Sequence, residues 1–441
     1  MRNKAAVAAP PTARTVAAHV LERVDRDRAY AAATLAAELE RHPQLDGRDR
    51  ALCTELVYGV LRARPALLSR LSGWAPRGID VGDSAVCAHL LVASYQLLCL
   101  DRVPAFAAVD AAVGVIGEIR DSKVAGFANA VLRKLASRGE RLALTDAVLE
   151  GAPAWLFRSL QNSVGREHAL ALLGALPDAA GRTIPPACVR LVAGSETPTW
   201  LIDAEPGRVV SQARILHGQG DLRARPGYAE GAFSIQEEGS QCVALALGVK
   251  PGDRVLDACA GRGQKAALFA ERLPERGELW AADLHPSKLD TLAREFGRLH
   301  LPLPHRSAVD WTVGSASLPR TFDRILVDAP CTGAGTLRRR PEILWRLEER
   351  DPARLGGLAR RILRAVAELA LPGTRIVFAV CSVLPEETVE VVEGTSDLLE
   401  PVAFDAPELE QLVGPDETVL RLLPSVHGTD GYFVASLRRR A

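Results

Sequence analysis

The sequence predicts a multidomain chain: an all-α bundle at the N-terminus, a small α+β connecting subdomain, and an α/β domain on a parallel, doubly wound sheet. Three observations carry this expectation. Apolar residues recur at helical spacing from about Thr15 to Ala136 without a strand signal, prolines punctuate the stretch from Leu144 to Gly239, and beyond Lys250 short apolar runs alternate with amphipathic stretches.

In the first region the helical stripes are Val16, Val20, Leu21 and Val24; Leu52, Cys53, Leu56, Val57, Val60 and Leu61; Leu90, Leu91, Leu97 and Leu98; Phe106, Val109, Val113 and Ile116; and Val124, Phe127, Val131, Leu132 and Leu135. Gly73, Pro76, Gly78, Pro104 and Gly117 separate them. In the middle region 189–192 and 208–210 read as short extended segments. In the last region strands are expected at 254–257, 278–282, 324–327 and 375–380, with helices at 264–273, 286–299 and 352–369. The expected division is a disordered tail over 1–12, a helical domain over 13–143, a connecting subdomain over 144–239 and a catalytic domain over 240–441.

A chain of 441 residues, 48% hydrophobic and 24% charged, buries sizeable cores and is neither collagen-like nor intrinsically disordered. The apolar stretch 88–100 is interrupted by His89, Ser94 and Gln96 and falls short of the roughly 20 residues that cross a bilayer. The run 5–9 after Arg2 and Lys4 stops at Pro10 and Pro11, too short for a secretory segment, so a cytoplasmic protein is expected. Eight cysteines without a CxxC pair suggest neither zinc nor a disulfide framework, and no metal is expected. Basic and acidic residues balance at 54 each, so any binding of nucleic acid must come from local basic patches.

The segment Val255-Leu256-Asp257-Ala258-Cys259-Ala260-Gly261-Arg262-Gly263-Gln264-Lys265 reads as a buried strand, a glycine-bearing turn and the start of a helix. Small residues there admit a ligand close to the backbone, and the first N–H groups of the helix attract polar or anionic groups. Asp283 ends the next apolar strand, 20 residues beyond Gly263, where a carboxylate accepts hydrogen bonds from both ribose hydroxyls. Together they indicate a nucleoside-containing cofactor; an ordinary tight turn is the plain alternative. Ala266 breaks the dinucleotide pattern and disfavours hydride transfer. Asp310, beside Trp311, follows the next strand, where such folds often contact an adenine ring; a solvated loop acid is the other reading.

Asp328 and Cys331 leave the carboxyl end of a buried strand in Ile325-Leu326-Val327-Asp328-Ala329-Pro330-Cys331-Thr332-Gly333, where ligands of open α/β sheets bind. Cys381 occupies the same architectural position later in Ala379-Val380-Cys381-Ser382-Val383-Leu384-Pro385-Glu386-Glu387, so two thiols are expected to face one cleft, each followed by a hydroxyl residue. Free cysteines are commonly small buried hydrophobes, and the shared position argues against that here. Arg338, Arg339 and Arg340, followed by Pro341 and Trp345, supply local positive charge suited to RNA phosphates; a solvated loop is the alternative.

These residues resemble the NOL1/NOP2/Sun family of RNA cytosine-5 methyltransferases, and within it the bacterial Sun, or RsmB, type. The resemblance rests on Asp328-Ala329-Pro330-Cys331-Thr332-Gly333, Arg338-Arg339-Arg340-Pro341-Glu342-Ile343-Leu344-Trp345, Cys381 to Glu387, and Gly428-Thr429-Asp430-Gly431-Tyr432-Phe433. Upstream, Arg48-Asp49-Arg50-Ala51-Leu52, Val57-Tyr58-Gly59-Val60-Leu61-Arg62, Val103-Pro104-Ala105 and Asn129-Ala130-Val131-Leu132-Arg133-Lys134-Leu135 are similar to the NusB-like RNA-binding domain fused to Sun proteins. The resemblance implies a Rossmann-like catalytic domain, with an S-adenosylmethionine pocket built from Cys259, Ala260, Gly261, Arg262, Gly263, Gln264, Lys265, Asp283, Asp310 and Asp328. It implies a target cytosine in small-subunit (16S) ribosomal RNA or its precursor, and a monomer is expected.

Carbon 5 of cytosine is a poor nucleophile until a thiolate adds to carbon 6, which is why a cysteine is needed. Chemistry alone leaves the two cysteines interchangeable. The resemblance assigns the attack to Cys381 and release of the product to Cys331; a strand-end Asp328 is expected to contact the cytosine edge and stabilise the adduct, with a purely structural turn role as the alternative. The family's first loop usually reads Ala-Pro-Gly-Gly-Lys where this chain has Gly261-Arg262-Gly263-Gln264-Lys265; the residue before the attacking cysteine, commonly Thr, is Val380; and the usual Arg-Val-Asn has Arg190-Leu191-Val192 as its nearest counterpart. A non-catalytic RNA-binding ribosome-assembly factor with a degenerate cofactor loop is the rival reading, and a DNA cytosine methyltransferase a third.

Overall fold

The computed structural model describes residues 11–75, 78–177, 184–218, 220–273, 277–314, 318–319 and 321–441. Of the expected N-terminal tail, 1–10 lie outside the described residues. Thr12 already belongs to the first helix: its hydroxyl accepts from the Thr15 N–H at 3.3 Å while the Thr15 hydroxyl accepts from the Thr12 N–H at 2.8 Å, a reciprocal cap. The chain forms two compact units, one of Met1–Pro153, Leu173–Ile184 and Arg340–Trp345, the other of Ala154–Leu172, Pro185–Arg339 and Arg346–Ala441.

The first unit is helical: α1 (Ala13–Arg26), α2 (Ala31–Arg41), α3 (Gly47–Ser72), α4 (Ser84–Cys99), α5 (Ala105–Ile119), α6 (Ser122–Ser137) and α7 (Leu144–Gly151). Val16, Val20 and Leu21 of α1, Leu56, Val60 and Leu67 of α3, Leu90 and Leu91 of α4 and Val131, Leu132 and Leu135 of α6 form one core. Each fully buried Leu or Val contributes about 1.5–3 kcal/mol. α3 and α4 approach closely at Gly59, where a Cβ would lie 2.0 Å from the Tyr95 ring. Trp345 packs on this core, with the Arg64 guanidinium 4.6 Å from its ring centre.

The second unit opens with α8 (Ala154–Val164) and α9 (Arg166–Leu172) and continues with a small antiparallel sheet of β1 (Ala187–Leu191), β2 (Glu205–Pro206), β3 (Ala213–Leu216) and β4 (Phe233–Ile235), ordered β2–β3–β1–β4. The short helix α10 (Thr199–Ile202) lies between β1 and β2. The expected extended segment at 208–210 is a bend between β2 and β3, where Val209 and Val210 N–H groups both donate to Glu238 instead of pairing with a strand. Then follow α11 (Glu238–Leu245), β5 (Arg254–Asp257), α12 (Gln264–Ala270), β6 (Glu278–Asp283), α13 (Pro286–Arg298), β7 (His305–Ala308), β8 (Arg324–Asp328), α14 (Asp351–Leu369), β9 (Arg375–Val380), β10 (Leu399–Pro401), β11 (Val419–Leu422) and β12 (Tyr432–Arg439).

The large sheet runs β7–β6–β5–β8–β9–β12, parallel except for β12, whose far edge pairs with β10 and β11. Its central strands β5, β8 and β9 are apolar on both faces because both are covered, whereas the edge strand β7 is polar and mostly exposed. Val255, Leu326, Val377 and Ala379 pack with α12 and α13, whereas Leu256, Ile325, Val327, Ile376 and Phe378 pack with Ile362, Leu363 and Val366 of α14. The chain steps outward from β5 to β7 and then returns to the other side of β5 as β8. That reversal opens a crevice at the carboxyl ends of β5 and β8, where Asp257 and Asp328 stand. Among the described residues no helix is long and apolar enough to cross a membrane.

Candidate active site

Parallel pairing of β8 with β9 puts Asp328 opposite Ala379, so the two strands end side by side and each passes directly into a cysteine-bearing turn. The Cys331 and Cys381 sulfurs lie 3.4 Å apart, both half-buried. The turns are held together by backbone: Gly335 N–H donates to the Cys381 carbonyl at 3.0 Å, and Gly431 N–H to the Gly335 carbonyl at 2.8 Å. A Cβ on Gly335 would sit 2.0 Å from the Gly431 oxygen, so only glycine permits this approach. The Cys381 sulfur, burial and Glu387 push the Cys331 thiol well above its ordinary value. Cys331 thus holds its proton tightly, and either sulfur can donate to the other.

Across the crevice Lys265, from the first turn of α12, donates to the Asp328 carboxylate at 2.6 Å. Burial disfavours the Lys265 charge, but Asp328, Asp257 and Cys381 outweigh it and hold the ammonium above its ordinary value. Asp257 is 1% exposed, and its Oδ1 has no hydrogen-bond partner. Burial pushes its carboxyl up to about 7, against the pull of Lys265 and with the repulsion of Asp328 and Asp283. Asp283 accepts from the Gly261 N–H at 3.0 Å and the His285 N–H at 2.9 Å, with Lys288 at 3.3 Å, so it draws the turn after β5 onto the end of β6.

Two family models match the chain: "16S rRNA methyltransferase RsmB/F" over 244–438 and "NusB family" over 11–137. A Mycobacterium tuberculosis protein described as a putative methyltransferase is 36% identical over 97% of this chain and 96% of its own length. A Bacillus subtilis protein described as a probable ribosomal RNA small subunit methyltransferase B is 31% identical over 97% and 98%. The chain belongs to the RsmB/F methyltransferase family. The solved structure of PH0851 superposes on 97% of this chain and 99% of that one with a TM-score of 0.82 at 20% identity, and so shares the fold.

The methyl donor of an RsmB/F methyltransferase is S-adenosylmethionine, and the residues of this crevice fit it. Asp257 offers a buried carboxylate oxygen without a partner, which a donor group on a ligand satisfies. Gly261, at φ +55°, has open space where a Cβ would stand, whereas Gly263, at φ +87°, would drive a Cβ to 2.5 Å from Leu292 of α13. One glycine leaves room for a ligand and the other lets helix pack on helix. The two unusual loop residues stay out of the way: Arg262 is exposed, and the Gln264 amide donates to the Ile235 carbonyl at the end of β4. Cys259 and Ala260 sit in the turn itself, where Ala260 N–H donates to the Ala282 carbonyl at 2.8 Å.

The structure thus brings the expected Lys265, Asp283, Asp328, Cys331 and Cys381 to the adjoining strand ends, together with Asp257, which the sequence did not single out. It treats the other expected residues differently. Asp310 lies on an exposed turn, its carboxylate accepting from the Thr312 N–H at 2.9 Å and hydroxyl at 2.6 Å, while Trp311 is buried and donates to the Ala258 carbonyl at 2.7 Å. Arg338 and Arg339, expected at RNA phosphates, instead hold the buried Asp430 carboxylate at 3.0 and 3.1 Å; Arg338 also donates to the Gly428 carbonyl and Arg339 to that of Pro186. Arg340 belongs to the helical unit, 4.9 Å from the ring centre of Tyr30. Guanidiniums in a row are a charge patch only if nothing folds onto them, and here Asp430 folds onto two of the three.

Glu237 escaped the sequence reading. Its carboxylate accepts from Asp430 N–H at 3.0 Å and Ser240 N–H at 3.1 Å, and burial and Asp430 push it upward. Burial likewise pushes up the Tyr432 hydroxyl, helped by Glu237, Asp430, Cys381 and Asp328. The sequence signal was the closing Asp430-Gly431-Tyr432, read only as a last strand.

Proposed function

We propose that this RsmB/F methyltransferase methylates carbon 5 of a cytosine in small-subunit ribosomal RNA, with Cys381 as the attacking thiolate and Cys331 as the residue that assists release. The observation that supports it is the 3.4 Å separation of two strand-end sulfurs beside a buried Lys–Asp pair. One nucleophilic sulfur makes an adduct; a second, protonated sulfur beside it serves the step that undoes it.

Addition of the Cys381 thiolate to carbon 6 drives electron density to carbon 5. S-adenosylmethionine, when bound, supplies the electrophilic methyl group. Asp328, held by Lys265, meets the cytosine edge and stabilises the adduct. The Cys331 S–H gives its proton to the departing Cys381 sulfur, and the Cys331 thiolate so formed takes the carbon-5 proton, which restores the ring double bond and leaves both cysteines as thiols; the proton that Cys381 gave up to solvent before its attack is the net proton released. The base must be unpaired or extruded for the thiol to reach carbon 6, at a cost of about a few kcal/mol. We assign part of the compensating RNA binding to the NusB-like helical unit, in the cytoplasm where ribosomal RNA is made.

Bisulfite sequencing of ribosomal RNA from cells with and without the gene tests the proposal. A single small-subunit cytosine that loses protection when the gene is removed supports it; identical maps overturn it.

A further inference from the structure

We infer that Glu387 is a positioning residue that sets the distance between the two catalytic sulfurs by clamping both cysteine turns through the hydroxyl that follows each cysteine. The inference rests on the proposed roles of Cys381 and Cys331, but its geometry stands apart from them. Glu387 is fully buried, on a single turn of 3-10 helix, Pro385–Glu387, whose backbone returns to Leu384 through a 3.0 Å hydrogen bond. Its Oε1 accepts from the Thr332 N–H at 2.6 Å, and its Oε2 accepts from the Thr332 hydroxyl at 2.6 Å and the Ser382 hydroxyl at 2.5 Å. Thr332 follows Cys331 and Ser382 follows Cys381, so one carboxylate ties both turns.

The backbone donors fix the direction of three bonds in this cluster and favour the direction of the other two. Ala334 N–H donates to the Thr332 hydroxyl and Leu384 N–H to the Ser382 hydroxyl, each at 3.3 Å. Both hydroxyls accept from backbone on one side and donate to Glu387 on the other, and the Thr332 N–H can only donate. That N–H must donate to Glu387, and with both hydroxyls donating as well Glu387 takes all three bonds as acceptor. Burial pushes the group above its ordinary value, and the Ser382 and Thr332 donors offset only part of that. A buried carboxyl group that touches neither the sulfurs nor the cofactor turn, yet fastens both residues next to the sulfurs, has the geometry of a spacer.

An amide cannot replace it, since a glutamine presents one oxygen to donors on two sides and turns its own N–H groups toward one of them. The experiment compares wild type with Glu387→Gln, and with Thr332→Val and Ser382→Ala, which each remove one hydroxyl and leave the carboxylate in place. Two readouts are taken. Phenylarsine oxide joins two neighbouring thiols with loss of water, so its capture by the Cys331–Cys381 pair, with Cys331→Ala as the blank, measures sulfur spacing without any catalysis. Steady-state methylation of RNA gives kcat and KM separately.

The expected result is slowed arsenical capture in all three variants and a fall in kcat of about a hundredfold in Glu387→Gln, with KM for RNA and affinity for S-adenosylmethionine unchanged, because misplacement by about 1 Å carries a penalty of that size. Folded variants that capture the arsenical at the wild-type rate, or that raise KM while kcat holds, overturn the inference. If Glu387→Gln does not fold, the two hydroxyl variants decide by the same criteria. If slowed capture accompanies methylation at some atom other than cytosine carbon 5, the spacer stands and only the proposed reaction falls.

Discussion

Lys265 and Asp328 form a 2.6 Å ion pair between the first turn of α12 and the end of β8, one on each side of the point where the sheet reverses its strand order. Asp257 lies behind it with an unpartnered oxygen, so a single ammonium serves two carboxylates and adjoins the Cys381 sulfur. Lys265→Met removes the only compensation these carboxylates have from a lysine on α12. The expected result is methyl transfer reduced by about a hundredfold or more, with a stability loss of about 1–3 kcal/mol from the missing charged hydrogen bond, measured by methylation assay and urea unfolding.

The Asp257 carboxyl, near 7 when folded against an ordinary 3.8, makes stability depend on pH. The folded state binds the proton more tightly, so this contribution is full below pH 4, declines as pH rises and is gone above about 7. Asp257→Asn abolishes that dependence. Relative to wild type, the variant should gain about 2–3 kcal/mol of stability between pH 5 and pH 8. A stability gap that is the same at both pH values refutes the assignment.

The two cysteines should fail in different ways. Cys381→Ala is expected to abolish methylation, and Cys331→Ala to accumulate a protein–RNA adduct that survives denaturation, seen as a slow band on a denaturing gel. The reverse pattern reassigns the nucleophile.

Arg338 is committed to Asp430. Arg338→Ala should therefore lower the melting temperature and leave the salt dependence of RNA binding as it was, whereas a phosphate contact would reduce the slope of log K against log salt by about 1. Asp430→Asn leaves two guanidiniums without their buried anion and is expected to cost about 3–5 kcal/mol.

Gly335→Ala must move the turn that carries Cys331, because its methyl group would meet the Gly431 carbonyl at 2.0 Å. The expected cost is about 1–3 kcal/mol in unfolding experiments, with a fall in kcat larger than any change in KM.

The strands β5 and β9 coincide with the limits expected from apolar runs, and β6 and β8 extend one residue further to include Asp283 and Asp328. Apolar patterning cannot assign an aspartate that pairs in the ladder through its backbone while its side chain leaves the sheet. The positions of Cys331 and Cys381 at neighbouring strand ends were legible because both follow buried runs that only a parallel sheet accommodates. The fate of Arg338 and Arg339 was not legible, since their partner Asp430 lies 92 and 91 residues away and nothing local distinguishes a paired guanidinium from a solvated one. Glu387 was visible as a motif residue, but its bond to Thr332, 55 residues earlier, was not.

By itself the sequence determined the helical character of 13–136, the alternation that makes a doubly wound sheet, and the residue types at its strand ends. These follow from periodicity and turn chemistry within a few residues of each position, and any fold of this chain must respect them. The tertiary structure alone decided which charges neutralise one another, which unit holds Arg340–Trp345, and how far apart the two sulfurs stand. Those outcomes depend on chain segments that meet only after the sheet has closed, where burial makes an unpaired charge costly and so selects its partner.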